Sequence, residues 1–209
     1  MLEDLVGLLS NTFISMAPIL LASTGEIITE RSGVVNIGLE GVFMVSSFVA
    51  TVTAFYTGNP YLGLLAGVLV GSLSGALHGF ISVYLRGDQV IAGVGFNTFA
   101  YGVSVLLMIS LWGSYSNSPP VVKTQNIVIT LAPRADLIIP PVTLLAVSLA
   151  VVSWWLLEKT RWGLKLRACG EDPRAAEAAG INVARTRFLA TVIGGAMAGL
   201  GGAYLVVGW

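Results

Sequence analysis

Six apolar runs, Leu5–Ala22, Gly41–Tyr56, Tyr61–Leu85, Val90–Trp112, Pro140–Leu157 and Phe188–Gly208, take up most of this chain and leave it few folds to choose from. About 20 apolar residues cross a hydrocarbon layer of roughly 30 Å as a helix. A lipid-exposed backbone must satisfy its own hydrogen bonds, and helices do that within one segment. Only 11% of the 209 residues are charged, where soluble domains carry roughly 25%. The expected fold is therefore all-α, a polytopic transmembrane helix bundle of about six spans with broken helices. It forms one transmembrane domain over residues 1–209, multi-pass in the cell membrane and bounded by lipid.

The same composition narrows the chemistry. A formal net charge of zero offers no basic surface for nucleic acid, and none is expected to bind. Cys169 and His78 are the sole cysteine and histidine, too few for a disulfide framework or a soft-metal cluster, so neither metal nor cofactor is expected. There is no H-E-x-x-H, no G-x-S-x-G and no G-x-x-x-x-G-K-[ST]. Gly102-Val103-Ser104, with His78 on the preceding span, is the one trace of intramembrane serine chemistry, and such triplets arise by chance in Gly/Ser-rich helices. The chain is not expected to be an enzyme. If nucleotide drives it, the ATPase is a separate chain.

Polar islands 26–40, 57–60, 86–89, 113–139 and 158–187 join the runs and fall alternately on opposite sides of a membrane. One side receives Arg31, Arg86, Lys159, Arg161, Lys165, Arg167, Arg174, Arg185 and Arg187; the other receives Lys123 and Arg134. Cytoplasmic loops are the Lys/Arg-rich ones. The expected orientation has the N-terminus outside and 158–187 as a cytoplasmic loop.

Gly63, Gly67, Gly71, Gly75 and Gly79 recur every fourth residue along the third run. Four residues advance about 400° on an α-helix, so these glycines form a slowly winding groove for close helix packing. Ala190, Gly194, Ala198 and Gly202 repeat the pattern in the sixth run. Two interruptions stand against this regularity. Ser32-Gly33-Val34-Val35-Asn36-Ile37-Gly38-Leu39-Glu40-Gly41 is too glycine-rich for a sound helix and reads as broken backbone near the cytoplasmic face, where Asn36 and Glu40 either line a watery path or cap the neighbouring helices. Glu40 needs a partner or water at that depth. Asp88-Gln89-Val90-Ile91-Ala92-Gly93 opens the fourth run, and Asn97 follows inside it. Asn97 hydrogen-bonds either a hydroxylated solute or a second helix.

Within 158–187, Asp172 is a candidate N-cap, Pro173 suits the first helical position and Gly180 supplies a left-handed stop. A helix of about two turns is marginal alone, so it needs something to pack against. Its Ala175/Ala176/Ala178/Ala179 surface admits a close partner.

Residues Glu30–Gly41, Asp88–Gly93 with Asn97, and Gly170–Val183 together resemble the inner-membrane permease subunits of ABC importers, in the branch serving nucleosides and simple sugars and more distantly the ribose and branched-chain amino-acid permeases. The resemblance implies that the third motif is a coupling segment received by a cytoplasmic ABC ATPase subunit. Glu171, Asp172, Arg174, Ala175, Ala176, Glu177 and Gly180 are then its contact and shape-determining residues. It further implies a second permease subunit, an extracytoplasmic substrate-binding lipoprotein and a small hydrophilic solute, a nucleoside first and a simple sugar second. Asn36, Glu40, Gln89 and Asn97 are candidates for lining the solute path. Members of that family continue for several spans beyond the segment matching Phe188–Gly208, so a truncated, split or partial subunit is expected, and a non-transporting one remains an alternative. An ion-coupled carrier using Glu40 is the reading from a different class.

Overall fold

The computed structural model describes residues 2–115, 117–132 and 135–208. Arg134, counted above for orientation, and the terminal Trp209 lie outside them. Among the described residues six long helices are apolar enough to cross a membrane: α1 (Leu2–Arg31), α2 (Leu39–Thr57), α3 (Pro60–Gly79, prolonged by a π turn over Phe80–Tyr84), α4 (Gln89–Trp112), α5 (Pro141–Lys159) and α8 (Val183–Val207). Two short helices, α6 (Arg161–Glu171) and α7 (Pro173–Ala178), lie between α5 and α8. The expected helix bundle is what the chain forms.

Local chemistry sets these ends. Asn59 caps α3 by accepting from the Tyr61 N–H at 2.9 Å with Pro60 in the first turn, and Asp88 caps α4 by accepting from Val90 and Ile91. Two features differ from the sequence expectation. The first helix runs on to Arg31, because Ser23–Arg31 holds no helix breaker other than Gly25 and packs on α8. Residues 158–187, read as a polar loop around one short helix, also contain α6, whose Leu166 and Cys169 are fully buried.

Segment 113–139 likewise holds more order than a loop. Strands β1 (Ile127–Ala132) and β2 (Ala135–Ile139) pair antiparallel, Ile127 opposite Ile139 and Thr130 opposite Asp136. The hairpin docks on α1, where the Ser10 hydroxyl accepts from the Ile138 N–H at 3.0 Å. The Thr124 N–H donates to the Val207 carbonyl at 2.7 Å, fastening the same segment to the end of α8.

Helix α8 is the hub. Within its apolar window 72% of residues are buried inside the protein, against 17% for α4, and α1, α2 and α3 all pack on it. The glycines of α3 make the tightest of these seams. A Cβ on Gly67 would strike Ala203, one on Gly71 the Gly195 carbonyl, one on Gly75 the Thr191 carbonyl and one on Gly79 the Thr191 hydroxyl. The opposing residues on α8 are thus Thr191, Gly195, Gly199 and Ala203, one position later than the 190/194/198/202 stripe picked out from the sequence. That stripe serves the other side: Gly194 meets Gly25 and Thr29 of α1, and Gly202 meets Phe43 of α2. Lipid tails are as apolar as these helices, so close van der Waals contact rather than water exclusion holds such a seam together.

Candidate functional site

The break between α1 and α2 spans residues 32–38, and its backbone groups cannot bond to each other as a helix would. Side chains from four helices take them up. Glu26 of α1 accepts from the Asn36 N–H at 2.8 Å. His78 of α3 pairs through Nε2 with the Val35 carbonyl at 3.0 Å. Gln89, at the start of α4, accepts from the Val35 N–H at 2.7 Å. Asn97, two turns further along α4, accepts from the Gly41 N–H at 2.7 Å and donates to the Ile37 carbonyl at 3.1 Å. Arg187 of α8 donates through Nε to the Ser32 carbonyl at 2.9 Å. Asn36 itself folds back, its side-chain oxygen accepting from the Gly38 N–H at 3.0 Å as an Asx turn does. Buried main-chain groups without partners are costly, and here polar side chains satisfy them.

Three of the four residues nominated for the solute path, Asn36, Gln89 and Asn97, therefore each commit a side-chain oxygen to this break, and Asn97 its amide nitrogen as well. Glu40 is separate from them, exposed in the first turn of α2, where a negative charge suits the helix dipole. His78 and Ser104 do not assemble into a serine–histidine pair: His78 engages Val35 and lies 3.4 Å from the Ser82 hydroxyl, and the Ser104 hydroxyl bonds to nothing among the described residues. Asn97 is the most exposing test of the clamp, since it bridges two main-chain groups. Asn97→Leu is expected to lower stability by about 2 kcal/mol, two neutral hydrogen bonds' worth, read as a fall in the thermal midpoint of the detergent-solubilised protein.

On the polar side of the molecule, α6 and α7 form a short elbow. Asp172 accepts from the Arg174 and Ala175 N–H groups at 3.0 and 3.1 Å, the N-cap anticipated from sequence. Gly180 closes the helix at φ +81, a left-handed value that disfavours residues with a Cβ. Ala176 is 3% exposed and packs with Cys169 and Val183, so it seats α7 on its base and presents nothing outward. Glu171, Asp172, Arg174, Ala175, Glu177 and Gly180 are exposed. The expected alanine surface is thus narrower by Ala176 and keeps Ala175, Ala178 and Ala179 on the outside.

Elbow and break touch. Gly170, near the end of α6, abuts the Arg31 carbonyl, and Gly33 sits against the Gly170 Cα and the Arg187 guanidinium. Gly33 has φ +88, so both space and backbone conformation call for glycine. Arg187 is the pin: besides Ser32 it donates through Nη2 to the Cys169 carbonyl at 2.7 Å, joining α8, α6 and the break at one guanidinium. The Arg167–Glu158 ion pair, 2.9 Å, braces α6 against the end of α5.

Glu26 escaped the sequence reading, and His78 and Arg187 entered it only as a possible serine partner and as one of the cations that set orientation. Each is a lone polar residue in or beside an apolar run, and its partner lies on another element. The general signal was there in Glu26, an acid inside a helical span, which is functional or paired by default.

With this geometry in view, comparison with known proteins is informative. Residues 8–208 match the family described as branched-chain amino acid transport system / permease component. The chain is 34% identical to the guanosine ABC transporter permease protein of Bacillus subtilis over 95% of its own length and 68% of the relative's. It is 34% identical to the putative glucose ABC transporter permease protein of Haloferax volcanii, covering 95% and 62%, and 32% identical to the nucleoside ABC transporter permease protein of Lactococcus lactis, covering 94% and 66%. The chain thus spans about two thirds of the length of these relatives. No solved structure matches it. With the family match running over residues 8–208, nearly the whole chain and all six apolar helices, this chain is a member of the branched-chain amino acid transport system / permease component family.

Proposed function

We propose that the chain acts as the permease subunit of an ATP-driven importer for nucleosides, with α7 received by an ABC ATPase on a separate chain. The observation that carries this reading is the contact between elbow and break. A push on α7 reaches Cys169 and Gly170 through α6, and from there Arg187 and Gly33 pass it to the segment that leads into α2 and is gripped by α4. Such an arrangement turns a force at the cytoplasmic face into a displacement of membrane helices. The excess of Lys and Arg on the elbow's side supports a cytoplasmic elbow and an external N-terminus. A second permease and a substrate-binding lipoprotein complete the proposed assembly. Two relatives are named for guanosine and for nucleosides. One named for glucose gives a simple sugar as the second reading.

The test is co-purification from membranes. Ala175→Arg and Glu177→Arg change the outward face of α7 and leave buried Ala176 alone; each is expected to cut the recovered ATPase at least about tenfold, as loss of a central contact does, while the permease elutes as a folded species. An unmodified permease that brings down no ATPase, or variants that retain it fully, would sink the reading.

A further inference from the structure

Helices α1 and α5 run side by side toward the elbow and leave a groove of about 280 Å³ between them. Its α1 wall extends from Leu20 through Ile27 to Arg31, and its α5 wall from Ala150 through Trp154 to Glu158. The stretch from Leu20 to Arg31 rises about 16 Å, so the groove is a slot that ends at the polar face of the molecule. A second helix about 10 Å across would need roughly 1,000 Å³ or more along that length. Only a thinner occupant can enter.

The two ends of the slot differ in chemistry. Toward the middle of the spans its walls are Leu20, Ile27 and Ala150, and two hydroxyls there are spent within their own helix: Ser23 donates to the Ile19 carbonyl at 2.9 Å and Thr24 to the Leu20 carbonyl at 2.6 Å. Ser153 adds a third hydroxyl, itself buried. At the polar end stand two charges, Arg31 and Glu158. Glu158 is already matched by Arg167 at 2.9 Å, whereas Arg31 forms no ion pair among the described residues. Glu30, next to Arg31 in sequence, lines the neighbouring groove on the α2 side. The corner that follows Glu158 adds Lys159, Arg161 and Lys165, all exposed. Trp154, one turn before Glu158, is 58% exposed, as tryptophans at a membrane interface are.

An apolar slot with an uncompensated guanidinium at its mouth matches a molecule with a hydrocarbon tail and an anionic head. A free phosphate would leave the apolar length empty, and a zwitterionic lipid would set its own cation beside a cluster of cations. Basic pockets between spans hold anionic lipid headgroups for this reason. We infer that an anionic phospholipid of the surrounding bilayer occupies the slot, its phosphate on the Arg31 guanidinium and one acyl chain along Ile27 and Leu20. Lys159, Arg161 and Lys165 add to the field that draws the headgroup in. The seat adjoins the base of the elbow, since Gly170 of α6 abuts the Arg31 carbonyl. It holds whichever solute the chain carries.

The experiment is native mass spectrometry of the full chain in detergent, titrated with dioleoylphosphatidylglycerol and in parallel with dioleoylphosphatidylcholine and glycerol 3-phosphate. One phosphatidylglycerol is expected to be held about fivefold more tightly than phosphatidylcholine, the contribution of a basic side chain at a membrane surface, and glycerol 3-phosphate is expected not to be retained. Arg31→Gln is expected to erase that preference and to leave the thermal midpoint in lipid-free detergent unchanged, because the Arg31 guanidinium pairs with no acid of the protein. Ala150→Phe, which fills the apolar length, is expected to weaken both lipids alike. Arg86→Gln removes an exposed cation at the α3–α4 connection, outside the slot, and serves as the unchanged control. Equal retention of the two lipids by the unmodified chain would overturn the inference, as would an equal loss in Arg31→Gln and Arg86→Gln, the mark of a diffuse basic surface. Retention of glycerol 3-phosphate as strongly as lipid would make this a site for soluble phosphate and overturn it too. So would a complex, purified from membranes with its partner subunits, that lacks the lipid the isolated chain retains, since another subunit would then fill the slot.

Discussion

Gly75→Leu is expected to leave almost no folded protein in detergent, with the sample eluting as aggregate on size exclusion. At this position a Cβ collides with the Thr191 carbonyl and comes within 3.1 Å of the Gly195 Cα. Both obstacles are main chain. Overpacking in ordinary cores costs about 1–3 kcal/mol because side chains can turn aside, and a helix axis has no such freedom. Separating α3 from α8 would also lift Gly67, Gly71 and Gly79 off their partners on the hub helix. The matched control is Gly95→Ala on α4, where a Cβ meets nothing within 4 Å and better helix propensity is worth up to about 1 kcal/mol. Equal thermal midpoints for the two variants would refute this account of the seam.

Arg187→Met is expected to reduce ATP-driven uptake at least about tenfold while the ATPase still co-purifies. Methionine keeps an unbranched apolar stem and forfeits both donors, leaving the Ser32 and Cys169 carbonyls without the guanidinium that joined them. Hydrogen bonds from a charged donor are worth roughly 1.5–3 kcal/mol each, ample to separate the elbow from the break on the timescale of transport. Arg187→Lys should recover part of the activity, since one ammonium cannot reproduce the planar fork that reaches two carbonyls on different elements. The informative comparison is ATP hydrolysis against uptake in the same vesicles: a ratio equal to that of the unmodified complex would show that force does not pass through this pin.

How much of this was legible beforehand depends on the range of each interaction. The six spans, the Asp172 cap and the Gly180 stop are local, written in runs of apolar residues or in neighbours three positions apart, and the structure places them where the sequence does, apart from the extension of α1 to Arg31. The glycine period of α3 was visible too, but the partner stripe on α8 was misregistered by one residue. Both 190/194/198/202 and 191/195/199/203 are built of small residues, and only the packing of α1 and α2 on one face of α8 and of α3 on the next distinguishes them. Hairpin β1–β2 alternates too briefly to stand out beside Ser, Asn and Pro, and its anchor is a serine well over a hundred residues away. Asn36, Gln89 and Asn97 were recognisable as polar groups needing partners in apolar surroundings. That their partners are the backbone of one short break could not be read, because the break and α4 meet only in three dimensions.

The seam between α3 and α8 carries one more consequence. Most helix contacts can exist in two forms, since interlocked side chains can disengage, rotate and mesh again one notch along. Where glycine faces glycine, as Gly71 does Gly195 and Gly199, there are no teeth to re-engage, and the contact has a single closed form or none. A transporter needs two shapes of comparable energy, and packed elements supply them by switching between discrete arrangements. This pair of helices has been denied that option by composition. On the importer reading proposed above, this pair is expected to be the keel, fixed in both shapes, with the hinge at the break after Arg31, where side chains rather than backbone make the joints.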